Sequence, residues 1–251
     1  HPGLQLHGLD HLRVLRGVVL RDGPPGLRFL TASGQRRGSV LEVPVELRGE
    51  SAGAILGAMG AAGEVLHARA TAVLAGAWPP PPVLAVADSI CDRRYPRGVL
   101  GAYSEILFHG EHFHGIEEVV GFSAAGMVAR LRAAPSPAKW MVDPLRSDWL
   151  ADPLVLDAAF QMGVLWCYEE LGVVGLPTYL RSYRQYRAAF PRSGVRAYLE
   201  VRERTTHKVV SDVTLADHAG VVVARIEGFE CTADASLMAA FHRVARVRAT
   251  A

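Results

Sequence analysis

Asp157 and Gln161 put a carboxylic acid and a carboxamide one helical turn apart in Asp152-Pro153-Leu154-Val155-Leu156-Asp157-Ala158-Ala159-Phe160-Gln161, a segment otherwise apolar. An α-helix turns through about 3.6 residues, so these two side chains share a face. A helix from near Pro153 to about Leu171 carries Leu154, Val155, Phe160, Met162, Val164, Leu165 and Trp166 around them and should be buried on most sides. A carboxyl group shielded by hydrocarbon resists ionisation, its pKa rises, and it can serve as a general acid near neutral pH. Gln161 both donates and accepts hydrogen bonds, so it can hold that acid or a substrate oxygen in place. A structural role for Asp157 stays open beside this one, either capping a neighbouring loop or pairing with a buried arginine.

A second constellation is Leu107-Phe108-His109-Gly110-Glu111-His112-Phe113-His114-Gly115-Ile116. His109, His112 and His114 invite a metal assignment, but no cysteine pair or second cluster completes a coordination shell. The flanking Gly and Phe residues suit a loop over a cavity, with His109 as a wall of a substrate channel. His7 and His11, before and at the start of the first expected strand, are candidate bases, although lone histidines usually serve packing. Ser104 and Ser182 lack the strained Gly-x-Ser-x-Gly elbow that activates a serine. Neither a phosphate-cradling Gly-rich loop nor a dinucleotide fingerprint occurs. Residues 175 to 186 mix Tyr179, Tyr183 and Tyr186 with Arg181 and Arg184 just after the helix, which suits a pocket mouth or a solvated strand edge.

Strands are expected at His11–Leu20, Leu27–Ala32, Ser39–Arg48 and Val65–Leu74, the third alternating Leu41, Val43, Val45 and Leu47 with Glu42 and Glu46. The run Ala77-Trp78-Pro79-Pro80-Pro81-Pro82 suits neither a helix nor a central strand and reads as a stiff connector. Beyond it, Tyr95–Gly115 reads as loop, and Met127–Arg132, the stretch from Val195, Val209–Ala216 and Val221–Glu230 read as strands. The first half offers similar strands with no long apolar helix before them. This order divides the chain into residues 1–76, a linker at 77–95, a second unit at 96–233 and a C-terminal helix or linker at 234–251, where Ser236–Val247 has helical spacing.

Half of the 251 residues are hydrophobic, and 27 basic against 25 acidic residues leave a formal charge of +2, so nothing favours nucleic acid or an anionic membrane as partner. No apolar run reaches the roughly 18 residues that cross a bilayer, and no secretory leader is recognisable, so a cytoplasmic setting is expected. Cys91, Cys167 and Cys231 are widely spaced and read as core spacers rather than a disulfide framework. An opening on His1-Pro2 and a close rich in Ala and Arg look like a piece of a longer polypeptide.

The chain resembles the dehydratase domains of modular polyketide synthases and of polyunsaturated-fatty-acid synthases. Asp157-Ala158-Ala159-Phe160-Gln161 looks like that family's Asp-x-x-x-Gln/His helix motif, Leu107-Phe108-His109-Gly110 with Phe113 and Ile116 like the loop before its second half, and Gly175-Leu176-Pro177 like the turn after the central helix. The similarity runs from about Leu12 to about Thr232. It implies an α+β double hot-dog fold, an antiparallel sheet wrapped around a long buried helix, with the first hot dog incomplete. It also implies elimination of water from a 3-hydroxyacyl-carrier-protein thioester, with Asp157 as acid and Gln161 positioning it.

The expected substrate contacts are His109, Gly110, Phe113, Leu176, Pro177 and Tyr179. The expected carrier-protein contacts are Arg181 and Arg184, with Arg187 nearby. Partners would be an acyl carrier protein, other domains of the same synthase and a second copy of the chain. No metal or organic cofactor is implied beyond the carrier's phosphopantetheine. The family's base lies in a His-x-x-x-Gly-x-x-x-x-Pro motif that this sequence does not contain. A noncatalytic scaffold or a pyran-forming cyclase on the same fold therefore remains an alternative.

Overall fold

The computed structural model describes residues 3–18, 26–50, 64–85 and 90–234; the helix expected over Ser236–Val247 and the end of the strand expected to reach Leu20 lie outside them. Among the described residues no helix is long and apolar enough to cross a membrane.

Among the described residues eleven antiparallel strands form one sheet: β1 (Gln5–Val14), β2 (Arg28–Thr31), β3 (Gln35–Arg37), β4 (Val40–Glu50), β5 (Glu64–Ala75), β6 (Ile116–Ser123), β7 (Gly126–Leu131), β8 (Gly175–Gln185), β9 (Val195–Arg204), β10 (Lys208–Ala216) and β11 (Val222–Ala233). Their order is β2-β4-β5-β1-β8-β11-β10-β9-β7-β6, with β3 paired to β4. A one-turn helix α1 (Gly98–Gly101) packs on β6, and the long helix α2 (Pro153–Leu171) packs on β7 to β11. This is the expected antiparallel sheet wrapped around a buried helix. The main buried cluster runs from Tyr95 to Cys231, and Leu9 and Leu12 of β1 lean on it. In the first five strands only Leu41, Val73 and Ala75 of the described apolar residues are buried.

Local chemistry sets the limits of α2. Asp152 is its N-cap, Pro153 fills the first position where no N–H is needed, and Gly172 ends it in the left-handed conformation at φ 70°. Asp152 Oδ1 accepts from the Leu154 and Val155 amides at 3.0 and 2.9 Å, and its carboxyl also accepts from the Ala134 amide at 2.9 Å. Leu154, Val155, Ala158, Ala159, Met162, Val164, Leu165, Trp166 and Cys167 are all buried, which leaves few faces of the helix for polar work. Gly163 permits close packing, since a Cβ there would lie 2.6 Å from Phe229 Cε1.

Several elements differ from expectation. The first strand begins at Gln5 and stops at Val14, because a bulge between Asp10 and Arg13, with His11 at φ 52°, breaks the simple alternation that suggested His11–Leu20. That strand joins the two halves, pairing β5 on one side and β8 on the other. Within the region read as loop, α1 is followed by a π-helical turn at Ala102–Ile106 and a 3₁₀ turn at Glu111–Phe113. Gly175-Leu176-Pro177 begins β8 and is not a turn; the reversal is made at Gly172. Cys167 and Cys231 are buried as expected, but Cys91 is exposed at the margin of the sheet. Pro44 sits inside β4 because its carbonyl, and hence its missing N–H, faces the gap between β2 and β3, where Ala32 N donates to that carbonyl at 3.1 Å.

Replacing Asp152 with Ala removes the cap and leaves the half-buried Ala134 amide without its acceptor. The expected cost is roughly 2–4 kcal/mol, read as a lowered urea midpoint with an unchanged m-value.

Candidate active site

Asp157 lies one turn into α2 and faces the segment that enters β6. Its side chain is 31% exposed, and that of the neighbouring His109 is 14% exposed. His109 Nε2 stands 3.6 Å from Asp157 Oδ2, and the imidazole stacks on Phe108 at a ring separation of 4.5 Å. Gln161, only 1% exposed, donates from Nε2 to Asp157 Oδ2 at 2.6 Å and to the Phe113 carbonyl at 2.8 Å. Its Oε1 accepts from the Tyr103 hydroxyl at 2.7 Å, and that hydroxyl accepts from the Ile116 amide at 2.9 Å. Tyr103 in turn stacks on His114, with ring centres 3.9 Å apart.

Close approach of this segment to the helix depends on Gly115. A Cβ there would meet Ala158 Cβ at 2.7 Å and the Leu154 carbonyl at 3.1 Å. The absent side chain lets the backbone after Phe113 lie against the helix turn that carries Asp157.

Burial pushes the Asp157 carboxyl above the usual carboxylate range, opposed by positive charge on His109 and by the hydrogen bond from Gln161. No arginine pairs with Asp157 among the described ion pairs, so of the two structural roles open from sequence, locking to an arginine is absent there. The loop-capping role belongs to Asp152 instead.

The sequence candidates divide between two places. His109, Phe113 and Gln161 converge on Asp157, and Gly110 starts the short turn between His109 and Phe113. The other two histidines of the cluster turn elsewhere: His114 is bonded to the His109 carbonyl at 3.1 Å, and His112 lines a separate cleft. Among the described residues no group of three metal-ligating side chains occurs.

Leu176, Pro177 and Tyr179 lie along β8, and Tyr179 OH meets His11 Nδ1 at 2.8 Å, with Arg13 over its ring. His7 is buried against the Gln185 carbonyl at 2.9 Å, and burial lowers its pKa. Arg184 is bound by both oxygens of Asp10, Arg181 lies 3.5 Å from Glu227, and Arg187 lies 3.2 Å from Asp217. These arginines therefore carry much less uncompensated charge than the sequence alone suggests.

A cleft of about 800 Å³ beside the start of α2 is lined by His112, Arg132, Trp140, Trp149, Asp152 and Leu154, among others, and Asp157 is not on its wall. Phe113 links the two places: its ring lies 5.4 Å from that of Trp140 and its carbonyl holds Gln161.

Tyr103 and the Phe113 carbonyl escape sequence reasoning. A tyrosine in a region read as loop carries no spacing signal, and a backbone carbonyl carries no residue-type signal at all.

An antiparallel sheet curled around one long helix that presents a half-shielded acid is the hot-dog architecture. Residues 84–236 match the model of the polyketide synthase dehydratase N-terminal domain, and the chain belongs to that family. A polyunsaturated fatty acid synthase polypeptide of Thraustochytrium sp. is 27% identical over 186 residues, 74% of this chain, and the chain spans only 6% of that relative's length. Among solved structures, a trans-AT polyketide synthase dehydratase domain from Brevibacillus brevis superposes with a TM-score of 0.69 at 19% identity, covering 91% of this chain and 76% of that one. The dehydratase domain from the CurF module of curacin polyketide synthase gives a TM-score of 0.68 at 18% identity, covering 92% and 77%. The relatives are domains of multidomain synthases, and a hydro-lyase kind of activity is what such domains have in common.

Two substitutions probe the site without any substrate. His109→Gln removes the opposing positive charge, so carbon-13 NMR of the Asp157 carboxyl should show its titration midpoint moving to higher pH; a fall would contradict the ion pair. Gly115→Ala should lower stability by about 1–3 kcal/mol in thermal or denaturant melts, through overpacking against Ala158.

Proposed function

We propose that this chain supplies the acid of a dehydratase site that eliminates water from a 3-hydroxyacyl thioester carried on the phosphopantetheine arm of an acyl carrier protein. In this reading a base removes the α-proton, the electron pair left behind forms the Cα–Cβ double bond, and the C–O bond breaks. Asp157 gives its proton to the departing hydroxyl, which leaves as water, and the product is a 2-enoyl thioester. The observation that carries the proposal is the Asp157 carboxyl, raised in pKa by burial, held by Gln161 and His109, and free of any arginine partner among the described ion pairs. Family membership supports it, as do structural relatives such as the curacin CurK dehydratase, for which a histidine-to-phenylalanine and an aspartate-to-asparagine substitution each give an inactive mutant.

His109 is better suited to set the charge beside the acid than to be the base. Proton abstraction at Cα and proton delivery to the β-oxygen call for two groups on either side of a substrate, and an imidazole 3.6 Å from the acid leaves no room for one between them. The base is assigned to a histidine elsewhere in the synthase, since no His-x-x-x-Gly-x-x-x-x-Pro occurs in this sequence. His109, Gly110 and Phe113 then border the acyl chain. Leu176, Pro177 and Tyr179 would meet its outer part, and Arg181 and Arg184 would face the carrier with the charge their carboxylate partners leave. Pairing with a second copy, a cytoplasmic setting and no cofactor of its own complete the reading.

In the synthase that contains this chain, Asp157→Asn should lower kcat for a 3-hydroxyacyl-carrier substrate by about 10²–10⁴-fold, with a smaller change in KM. Unaltered dehydration would remove the acid role and leave a scaffold; unaltered dehydration with loss of ring closure would indicate a cyclase.

A further inference from the structure

We infer that Tyr103 is a positioning residue, which fixes the orientation of the Gln161 carboxamide and thereby decides which oxygen of Asp157 carries the transferable proton. The inference deepens the proposed acid role and rests on it for its catalytic meaning, while its geometry stands independently.

A glutamine amide has two orientations of nearly the same shape, and only its neighbours can choose between them. Two backbone groups make the choice here. The Phe113 carbonyl, 2.8 Å from one terminal atom of Gln161, only accepts, so that atom must be the nitrogen. The Ile116 amide only donates, so the Tyr103 oxygen, 2.9 Å away, is its acceptor. The single phenolic hydrogen is then directed to the other terminal atom of Gln161 at 2.7 Å, which must be the oxygen. Burial pushes the Tyr103 hydroxyl up to about 12, so it keeps that hydrogen across any working pH.

With one Nε2 hydrogen on Phe113, the second points at Asp157 Oδ2 at 2.6 Å, the same oxygen that His109 approaches. Oδ2 is thus the accepting oxygen in both protonation states, and the acid proton resides on Oδ1. When Oδ1–H is given up, the new negative charge is met at Oδ2 by a donor already in place, which is preorganised stabilisation of the product anion. Without the phenol, the amide oxygen of Gln161 loses its donor and the carboxamide is held by the Phe113 carbonyl alone. It can then swing about that contact, so that its second hydrogen no longer points at Asp157 Oδ2 and the carboxylate loses a fixed donor.

The test is the titration of Asp157 by carbon-13 NMR in the 251-residue chain and in its Tyr103→Phe variant, which keeps the ring that stacks on His114. Loss of a fixed donor to the carboxylate should raise the midpoint by about one pH unit, and the Gln161 amide resonances should shift with it. A role in packing alone would leave the midpoint where it is, and an unchanged value in a folded variant overturns the inference. Should that variant fail to fold, the unaltered chain decides. A Tyr103 hydroxyl proton protected from exchange that moves together with the Gln161 Nε2 protons as Asp157 titrates supports it, and a hydroxyl proton in fast exchange with water refutes it. Neither outcome depends on turnover, so a failure of the dehydratase reading, seen as unaltered kinetics of Asp157→Asn, is distinguishable from a failure of this one.

Discussion

A carboxylic acid placed on a helix buried around most of its circumference is the constraint from which the rest of the structure follows. Such a helix can offer polar chemistry through one narrow strip, and α2 uses it for Asp157 and Gln161, with Asp152 at its head satisfying backbone amides. Everything polar that approaches the strip must bring its own partner, because an unpaired buried group costs on the order of 1–3 kcal/mol. The entering segment meets this demand with groups already spoken for: the Phe113 carbonyl, the Ile116 amide and one phenol between them. The same desolvation that makes the ionised acid unfavourable is what suits it to deliver a proton.

Much of this was legible in the sequence. Pro153 and an apolar run to about Leu171 placed α2, and the four-residue separation of Asp157 and Gln161 gave the shared face; the Asp152 cap and the Gly172 stop came with the structure. Strands with a polar face, such as β4 and β9, showed their alternation. Others did not. The β1 pattern is interrupted by a bulge whose extra residue moves the apolar side chains from period two to Leu9 and Leu12, three apart. β8 was left between a pocket mouth and a solvated strand edge, although it lies inside the sheet between β1 and β11, because its arginines are neutralised by partners on other strands, Asp10 and Glu227, which only the sheet order brings near. Three closely spaced histidines looked like one site, yet a 3₁₀ turn between them sends His109, His112 and His114 in different directions. Contacts made by backbone atoms, on which the orientation of Gln161 turns, have no residue-type signature and cannot be read from composition or spacing.

The two parts of the sheet differ in how they are covered. The described helices gather on β6 to β11, where the main buried cluster lies, whereas β4 and β5 hold half-buried side chains such as Val43, Val45 and Leu47. The architecture is shared with solved dehydratase domains at 17–20% identity, which fits a fold that needs only the alternation of its strands and one apolar helix with a polar strip. Particular side chains on the outer face are under no such demand.

The seam made by β1 carries a consequence for how the chain reaches its native state. Asp10 lies opposite Ser182, so a strand near the beginning of the sequence completes its ladder only when one far downstream arrives. At ribosomal speeds of roughly 5–20 residues per second, that interval is on the order of ten to thirty seconds, during which an edge of β1 has no neighbour from its own chain. Closing the seam is a long-range event with a large entropy cost, so the joining of the two parts is expected to be among the slow steps of folding. The bulge at His11 interrupts the pairing with β5 and leaves the register toward β8 regular, so the waiting edge can take up its partner along its length once that partner has been made.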